Sequence, residues 1–185
     1  MDNLKAVVGF IGAGGIARSH VYSLSSLKYF YDDAPEIELA AVSSATEESR
    51  RKFAARFGFK KAVSLDKLLD DERIDTVFIL GPNKVHFEHF RAALAMKSLK
   101  RIYLEKPVCS SPDEMKRMPE IAKAYPDITV QVGFQYLFTS AVREALAMWK
   151  SGIMGKPVHF DFFKQLGMIE SKFNFRNKFD IPSWN

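Results

Sequence analysis

The sequence predicts an α/β protein in which a doubly wound parallel sheet is followed by a smaller, incomplete α+β region. Two observations support this fold class. Short, almost continuous apolar runs alternate along the chain with segments whose apolar residues recur at helical spacing. Such runs are typical of parallel strands that are buried on both faces, with helices crossing over between them. A glycine-rich turn also stands directly after the first run, where a strand passes into a helix.

Composition restricts the classes of function. The chain of 185 residues has one cysteine, Cys109, and a net charge of +5. A single cysteine excludes an internal disulfide and agrees with a reducing compartment. We expect Cys109 to be a buried or half-buried small hydrophobe rather than a nucleophile. No apolar run approaches the roughly 20 residues of a membrane span, and no signal peptide is recognised, so we expect a soluble cytoplasmic protein. The mild charge predicts no nucleic-acid partner, and no metal site is predicted.

The first predicted strand, Lys5–Ile11, leads into a G-x-G-x-x-A fingerprint. Gly12 permits the sharp turn, Gly14 has no Cβ to keep the backbone from a pyrophosphate, and Ala17 lets helix and strand pack closely. The phosphates would then lie at a helix N-terminus. The alternative is a structural turn of small residues. The residues predicted here to bind a dinucleotide are Gly12, Gly14, Gly15, Ile16 and Ala17.

The second predicted strand, Glu36–Ser43, ends without the acidic residue that usually holds the adenosine ribose of NAD. Ser44 stands there instead, and we expect it to contact this ribose. The missing carboxylate removes a charge that would repel a 2′-phosphate, and Arg50 or Arg51 could reach one. The sequence therefore favours NADP over NAD by a small margin.

Further elements follow from periodicity and turn chemistry. The predicted strands are Ala62-Val63, Ile74–Leu80 and Arg101–Leu104. The predicted helices are Thr46–Phe57, which is capped by Ser44 with Glu47 and closed by Gly58, a helix capped by Ser64, and Lys84–Lys97. A last helix begins with a capping box at Ser111, and Pro119 should kink or shorten it.

Polar residues follow two of these strands, at the sheet edge where open α/β sheets bind ligands. Pro82 and Asn83 follow one strand, and the Asn83 amide could serve a ribose or nicotinamide group or simply cap a helix. His86, in the first turn of the next helix, is expected to face the same crevice. Lys106, beside Glu105 at the end of the next strand, could polarise a carbonyl or donate a proton, or form only a surface salt bridge.

Together these strings resemble the glucose-fructose oxidoreductase and inositol 2-dehydrogenase family. The matches are the glycine turn, Ile74–Val77 running on to Pro82–His86, Glu105-Lys106-Pro107, Val132–Tyr136, and Ser151–Val158. They cover nearly the whole chain in the family's order.

The resemblance implies a Rossmann domain over residues 1–127 and an α+β substrate and oligomerisation domain over 128–185. It implies NAD(P)-dependent oxidation or reduction of a sugar, polyol or related hydroxyl compound. By the same resemblance Lys106 is the catalytic lysine, and Glu105, Pro82, Asn83 and His86 line the cofactor.

The sequence departs from the family pattern in two places. Leu137 stands where the family often has an arginine, and the chain reaches Asn185 before an Asp-x-x-x-His motif that supplies an acid-base pair. The only histidine after Lys106 is His159. A second hypothesis is therefore a catalytically inert dinucleotide-binding sensor or assembly subunit.

Beyond residue 127 the pattern predicts strands at Ile128–Phe134 and Pro157–Leu166 and a helix at about Ser140–Lys150, and Phe173–Phe179 alternates like a strand. So few elements cannot cover their own apolar face. This domain is therefore either incomplete or completed by association, and we expect a homo-oligomer through this segment. The aromatic residues in question are Phe160, Phe162, Phe163, Phe173, Phe175, Phe179 and Trp184.

Overall fold

A computed structural model of the chain describes residues 5–156 and 158–159. The chain has two compact units, one ending at Phe138 and one beginning at Thr139. Among the described residues no helix is both long enough and apolar enough to cross a membrane.

The first unit contains a six-stranded parallel sheet. Its strands are β1 Lys5–Ile11, β2 Glu36–Ser43, β3 Lys61–Ala62, β4 Thr76–Ile79, β5 Arg101–Leu104 and β6 Thr129–Val132. Their order across the sheet is β3-β2-β1-β4-β5-β6, and every neighbouring pair is parallel. The order reverses direction between β1 and β4, as it does at the ligand-binding crevice of doubly wound sheets.

Helices cover both faces of this sheet, which confirms the predicted doubly wound architecture. They are α1 Gly15–Ser26, α2 Glu47–Phe57, α3 Leu65–Leu69, α4 His86–Leu94 and α5 Pro112–Lys123. On one face Phe10 of β1 packs in a cluster with Val21 of α1 and Phe53 of α2. On the other face Ile79 of β4 belongs to a cluster that includes Phe90 of α4 and Met118 of α5. Two apolar cores therefore hold the sheet edge in place.

Most elements lie where the sequence predicts them. β1, β2 and β5 have the predicted bounds, Gly58 closes α2 in the left-handed conformation (φ 79°), and Ser111 forms a complete capping box with Glu114. Cys109 is buried, as expected. β3 begins one residue before the predicted Ala62, at Lys61, and β4 is shorter than the predicted Ile74–Leu80.

Two local predictions were wrong. The cap of α2 is Thr46, whose hydroxyl accepts from the Ser49 amide at 3.2 Å, because Thr46 is the extended residue directly before the helix. The Ser44 hydroxyl instead donates to the Thr46 carbonyl oxygen. The predicted helix at residues 84–97 begins as a 3₁₀ turn at Asn83–Val85 and ends at Leu94.

Pro119, which the sequence predicts to kink or shorten its helix, lies inside α5 and does not end it. The helix continues to Lys123, because buried Met118 and part-buried Ile121 hold both sides of the proline against the core. Packing can offset the one backbone hydrogen bond that proline removes.

The domain boundary predicted after residue 127 falls before the last strand of the sheet. β6 pairs with β5 from Thr129 to Val132, so this segment completes the first unit rather than beginning the second. The second unit contains α6, Ser140–Lys150, close to its predicted bounds. The strands predicted at 157–166 and 173–179 and the aromatic residues named with them lie outside the described residues, apart from Val158 and His159, which have no regular structure.

Candidate functional site

The carboxyl ends of four strands meet in register at one edge of the sheet. Ile11 pairs with Ile79, and Ile79 with Leu104, so the residues that follow these strands lie side by side. The backbone ladder continues one step beyond the strands. The Gly12 amide donates to the Ser43 carbonyl at 2.8 Å, and the Glu105 amide donates to the Ile79 carbonyl at 3.0 Å. The glycine turn and the Glu105-Lys106-Pro107 loop are therefore fixed to one edge.

The glycine turn has the geometry that a phosphate cradle requires. Gly12 has φ +124°, and a Cβ there would lie 2.6 Å from the Leu80 carbonyl carbon, so only glycine fits. Gly14 and Gly15 have open space where a Cβ would be, and Gly14 caps α1 without a side-chain hydrogen bond. Ala17 is fully buried, whereas Ile16 is partly exposed. The unpaired amides at the start of α1 are thus open to an anion.

Ser44 follows β2 and is accompanied by one of the two predicted arginines. Nη1 of Arg50 lies 3.4 Å from the Ser44 carbonyl oxygen, and the arginine side chain is 18% exposed. Its buried Nε has no hydrogen-bond partner among the described residues. Arg51 is 72% exposed and pairs with Glu47 at 2.6 Å on the helix surface. The structure therefore brings Arg50, and not Arg51, to Ser44.

A cleft of about 430 Å³ opens beside the glycine turn, between α1 and α2. It is lined by Ala13, Arg18, Thr46, Glu48, Ser49, Lys52, Phe53, Arg56 and Phe57. Three of these side chains are cationic and one is anionic. Since Lys52 is paired with Glu48 at 2.6 Å, Arg18 and Arg56 give the cleft its positive character.

Of the residues after β4 that are predicted to line the cofactor, two are at the surface and one is in the interior. Pro82 and Asn83 are exposed, and Asn83 begins the 3₁₀ turn. His86 is buried, with Nδ1 2.8 Å from the Pro107 carbonyl oxygen and Nε2 2.8 Å from the Gly81 carbonyl oxygen. The ring therefore does not open onto the crevice as expected; it joins the loops after β4 and β5.

The loop after β5 presents Lys106 and buries Glu105. The Lys106 side chain is exposed at the sheet edge, and its backbone amide donates to Oε2 of Glu105 at 2.9 Å. The Lys106–Pro107 peptide bond is cis.

Contact of Glu105, Asn83 and Pro82 with a cofactor stays a prediction. No cluster of His, Cys, Asp or Glu suited to a metal ion occurs in the described part of the chain.

Sequence reasoning missed two residues of this site. His20 is packed within α1, and its Nε2 lies 3.0 Å from Oε1 of Glu105. The Tyr103 hydroxyl lies near the same carboxylate, beside Gly133. Burial first and the Glu105 charge second raise the pKa of Tyr103 to about 12. Tyr103 occupies an alternating position of β5, so the periodicity indicated only a strand residue.

A further position at the edge is Gly133, after β6. A Cβ there would lie 2.5 Å from the Tyr103 hydroxyl oxygen, so the glycine makes room for that hydroxyl beside Glu105. Leu137, the departure from the family pattern, is exposed in the 3₁₀ turn Gln135–Phe138.

Comparison with known proteins agrees with this geometry. Residues 6–134 match the model of the GFO/IDH/MocA family, described as an oxidoreductase family with an NAD-binding Rossmann fold. Glucose-6-phosphate 3-dehydrogenase of Bacillus subtilis is 28% identical over 92% of this chain and 46% of its own length. An inositol 2-dehydrogenase of Acidothermus cellulolyticus is 28% identical over 82% of this chain and 42% of its own length.

Solved structures show the same fold. A levoglucosan dehydrogenase in complex with NADH and levoglucosan superposes with a TM-score of 0.75 at 30% identity, over 82% of this chain and 41% of that one. An NAD-binding oxidoreductase from Klebsiella pneumoniae gives a TM-score of 0.75 at 28% identity, over 83% and 41%. The chain thus spans less than half the length of the relatives it matches. With its glycine turn, its sheet order and the match over residues 6–134, the chain belongs to the GFO/IDH/MocA oxidoreductase family, which has an NAD-binding Rossmann fold.

Proposed function

We propose that this chain binds a nicotinamide dinucleotide and takes part in oxidation or reduction of a hydroxyl-bearing carbon in a sugar, polyol or related compound. The observation that carries the proposal is the juxtaposition of two loops at one sheet edge, the open glycine turn and the loop that presents Lys106. The relatives' names, which include glucose-6-phosphate and inositol dehydrogenases, support the substrate class.

The pyrophosphate site of this proposal is the start of α1. Gly14 and Gly15 leave the backbone open, and the first turn of α1 contains no acidic residue to oppose an anion. The amides and the positive end of the helix dipole both favour phosphate there. Gly12, Ile16 and Ala17 shape the turn and hold it against the sheet.

Lys106 moves the proton in the proposed reaction. The nicotinamide supplies or accepts the hydride. In oxidation the Lys106 amine takes the hydroxyl proton as hydride leaves the same carbon; in reduction the ammonium returns the proton to the oxygen. Asn83 and Pro82, exposed at the next strand end, contact the nicotinamide side, whereas Glu105 and His86 act indirectly, through the loops they hold.

NADP is the cofactor that the proposal favours over NAD. Ser44 adds no negative charge at the end of β2, and Arg50 lies against its carbonyl group. The cationic side chains Arg18 and Arg56 in the adjoining cleft also suit a 2′-phosphate. Titration with NADH and NADPH, followed by cofactor fluorescence, compares the two directly. Failure to bind either would contradict the whole proposal.

Turnover tests the catalytic part. In an assay of nicotinamide absorbance with a panel of sugars and polyols, Lys106→Ala should lose about 10²- to 10⁴-fold in kcat and keep its cofactor affinity, because only the proton transfer is removed. Lys97→Ala is the matched control, since this lysine is 86% exposed and pairs only loosely with Glu72 at 3.7 Å. Unchanged turnover in Lys106→Ala would remove its proposed role.

The inert sensor is the weaker alternative. It has less support than the oxidoreductase, because relatives across most of this chain are named as dehydrogenases. It predicts cofactor binding with no hydride transfer to any member of the panel, which the same assay detects.

A homo-oligomer through the C-terminal segment is also part of the proposal. In the second unit, α6 has no buried residue and exposes large apolar side chains. These are Leu146, Met148 and Trp149. Light scattering after size exclusion measures the assembly, and a monomer at all concentrations would contradict it.

A further inference from the structure

The buried carboxylate of Glu105 lies at the centre of a small network beneath Lys106. It accepts hydrogen bonds from two groups, the ring Nε2 of His20 at 3.0 Å to Oε1 and the backbone amide of Lys106 at 2.9 Å to Oε2, and the Tyr103 hydroxyl lies near it, beside Gly133. The His20 and Glu105 side chains are 15% and 7% exposed. Both carboxylate oxygens are therefore held by the protein, and the orientation of the group is determined.

The position of His20 is determined as well. Its ring contacts Tyr103 edge-on with centroids 4.6 Å apart and lies 5.5 Å from the ring of Phe78, and these two rings stack on each other at 5.0 Å. Phe78 belongs to β4 and Tyr103 to β5. The imidazole of this α1 residue thus packs against β4 and β5, with its Nε2 directed at Glu105.

This arrangement joins two parts of the proposed site. His20 is on α1, the helix whose first turn contains Gly15, and Glu105 holds the backbone from which the Lys106 side chain starts. A proton-transfer group must lie within hydrogen-bond reach of its partner, and a displacement of about 1 Å can cost about 10²-fold in rate. The His20–Glu105 contact fixes the distance between the pyrophosphate helix and the lysine backbone.

We propose that His20 is a positioning residue for Lys106, acting through the Glu105 carboxylate. This inference rests on the proposed function, because it assumes that Lys106 transfers the proton. His20 itself touches neither cofactor nor substrate. It determines where the Lys106 amide, and hence its side chain, lies relative to α1.

The competing explanation is a stabilising pair with no bearing on Lys106. Removing one partner of a buried pair destabilises a protein in either case, so stability cannot separate the two. Two other measurements can. One is hydrogen exchange at the Lys106 backbone amide, observed by NMR, and the other is the split between kcat and KM.

The variants are His20→Leu, which removes the donor, and His20→Gln, whose amide nitrogen can occupy the place of Nε2. Leu68→Ala, a core change on α3, serves as the control for lost stability. In His20→Leu the Lys106 amide should exchange at least about tenfold faster and kcat should fall about tenfold or more, with KM for the cofactor changed less than about threefold. His20→Gln should restore both. In a Glu105→Gln background, His20→Leu should have little further effect.

The proposal is overturned if Lys106 exchange and kcat respond to His20→Leu no more than to Leu68→Ala, or if His20→Gln behaves like His20→Leu. The proposed function fails in a different way. If the unmodified chain transfers no hydride, the exchange measurement still decides whether His20 positions the Lys106 backbone, since it needs no turnover. Faster exchange reversed by His20→Gln then supports the positioning role, and unchanged exchange removes it.

Discussion

Nδ1 of His86 lies 2.8 Å from the carbonyl oxygen of Pro107, in the loop that carries Lys106. Its Nε2 lies 2.8 Å from the carbonyl oxygen of Gly81, in the loop after β4. A neutral imidazole donates to only one of two such acceptors, and an imidazolium donates to both. In either form the buried ring joins the ends of two adjacent strands, so the shape of the sheet edge depends on a side chain that does not face it.

Replacement of His86 by leucine should lower the free energy of unfolding by about 2 kcal/mol or more, because at least one carbonyl group loses its partner in the interior. Chemical denaturation measures this difference. His89→Leu is the matched control, since the buried Nδ1 of His89 has no partner among the described residues, and burial lowers the pKa of the ring. A loss in His89→Leu as large as that in His86→Leu would argue against the role of the two carbonyl contacts.

Two glycines of the same turn should respond in opposite ways to alanine. Gly12→Ala places a Cβ 2.6 Å from the backbone of Leu80 at φ +124°, so it should destabilise the fold by about 2 kcal/mol or more. Gly14→Ala meets no atom within 4 Å, so the fold should keep its stability. The added methyl should instead weaken NADH and NADPH binding about tenfold or more, because it stands where a pyrophosphate would approach.

Thermal unfolding and cofactor titration on both variants test this pair. If Gly14→Ala binds the dinucleotide as tightly as the unmodified chain, the phosphate does not lie on this turn. If Gly12→Ala unfolds at the same temperature as the unmodified chain, the close approach to Leu80 is not what requires glycine there.

Much of the fold could be predicted because its signals are local. The apolar run Lys5–Ile11 and the pattern Ser111–Glu114 determine a strand and a helix start within a few residues, and both are confirmed. Boundaries were less accurate where two local signals compete. Ser44 and Thr46 are both good capping residues, and only the extended backbone at Thr46 decides between them.

The interior of the site could not be predicted in the same way. His20 and Glu105 are 85 residues apart, and nothing in either local pattern indicates the other. His86 was expected at the crevice because it lies in the first turn of a predicted helix at the correct edge. Its burial depends on the rotation of α4 against the Pro107 loop, which no spacing reveals.

Alkaline titration should separate Tyr103 from the other tyrosines. Burial, with the Glu105 charge as a smaller cause, raises the pKa of Tyr103 to about 12, compared with about 10 for an ordinary tyrosine. The folded state therefore holds this proton where the unfolded chain releases it. The stability that this provides should be complete below about pH 10 and lost as the pH rises toward 12.

Tyrosinate absorbance and unfolding experiments between pH 9 and 12 check this result. Tyr103→Phe should remove the late-titrating signal and flatten the loss of stability over that range. Glu105→Gln should lower the pKa of Tyr103 only partly, because burial is the larger cause. A Tyr103 signal that titrates near pH 10 in the unmodified chain would contradict both the burial and the contact with Glu105.

The choice between the two dinucleotides should depend on the charge at the end of β2. Ser44→Asp restores a carboxylate where NAD-binding sites usually have one, so it should repel a 2′-phosphate and accept hydrogen bonds from the ribose hydroxyls. It also places a negative charge near Arg50, whose Nη1 lies 3.4 Å from the Ser44 carbonyl oxygen, and so competes for the cation that a 2′-phosphate would use. We expect the ratio of the NADPH to the NADH dissociation constant to rise about tenfold, or about 1.4 kcal/mol. Ser44→Asn has the same shape without the charge and should leave the ratio nearly unchanged. Equal shifts in the two variants would mean that shape rather than charge at residue 44 selects the cofactor, and no shift in Ser44→Asp would place the adenosine ribose elsewhere.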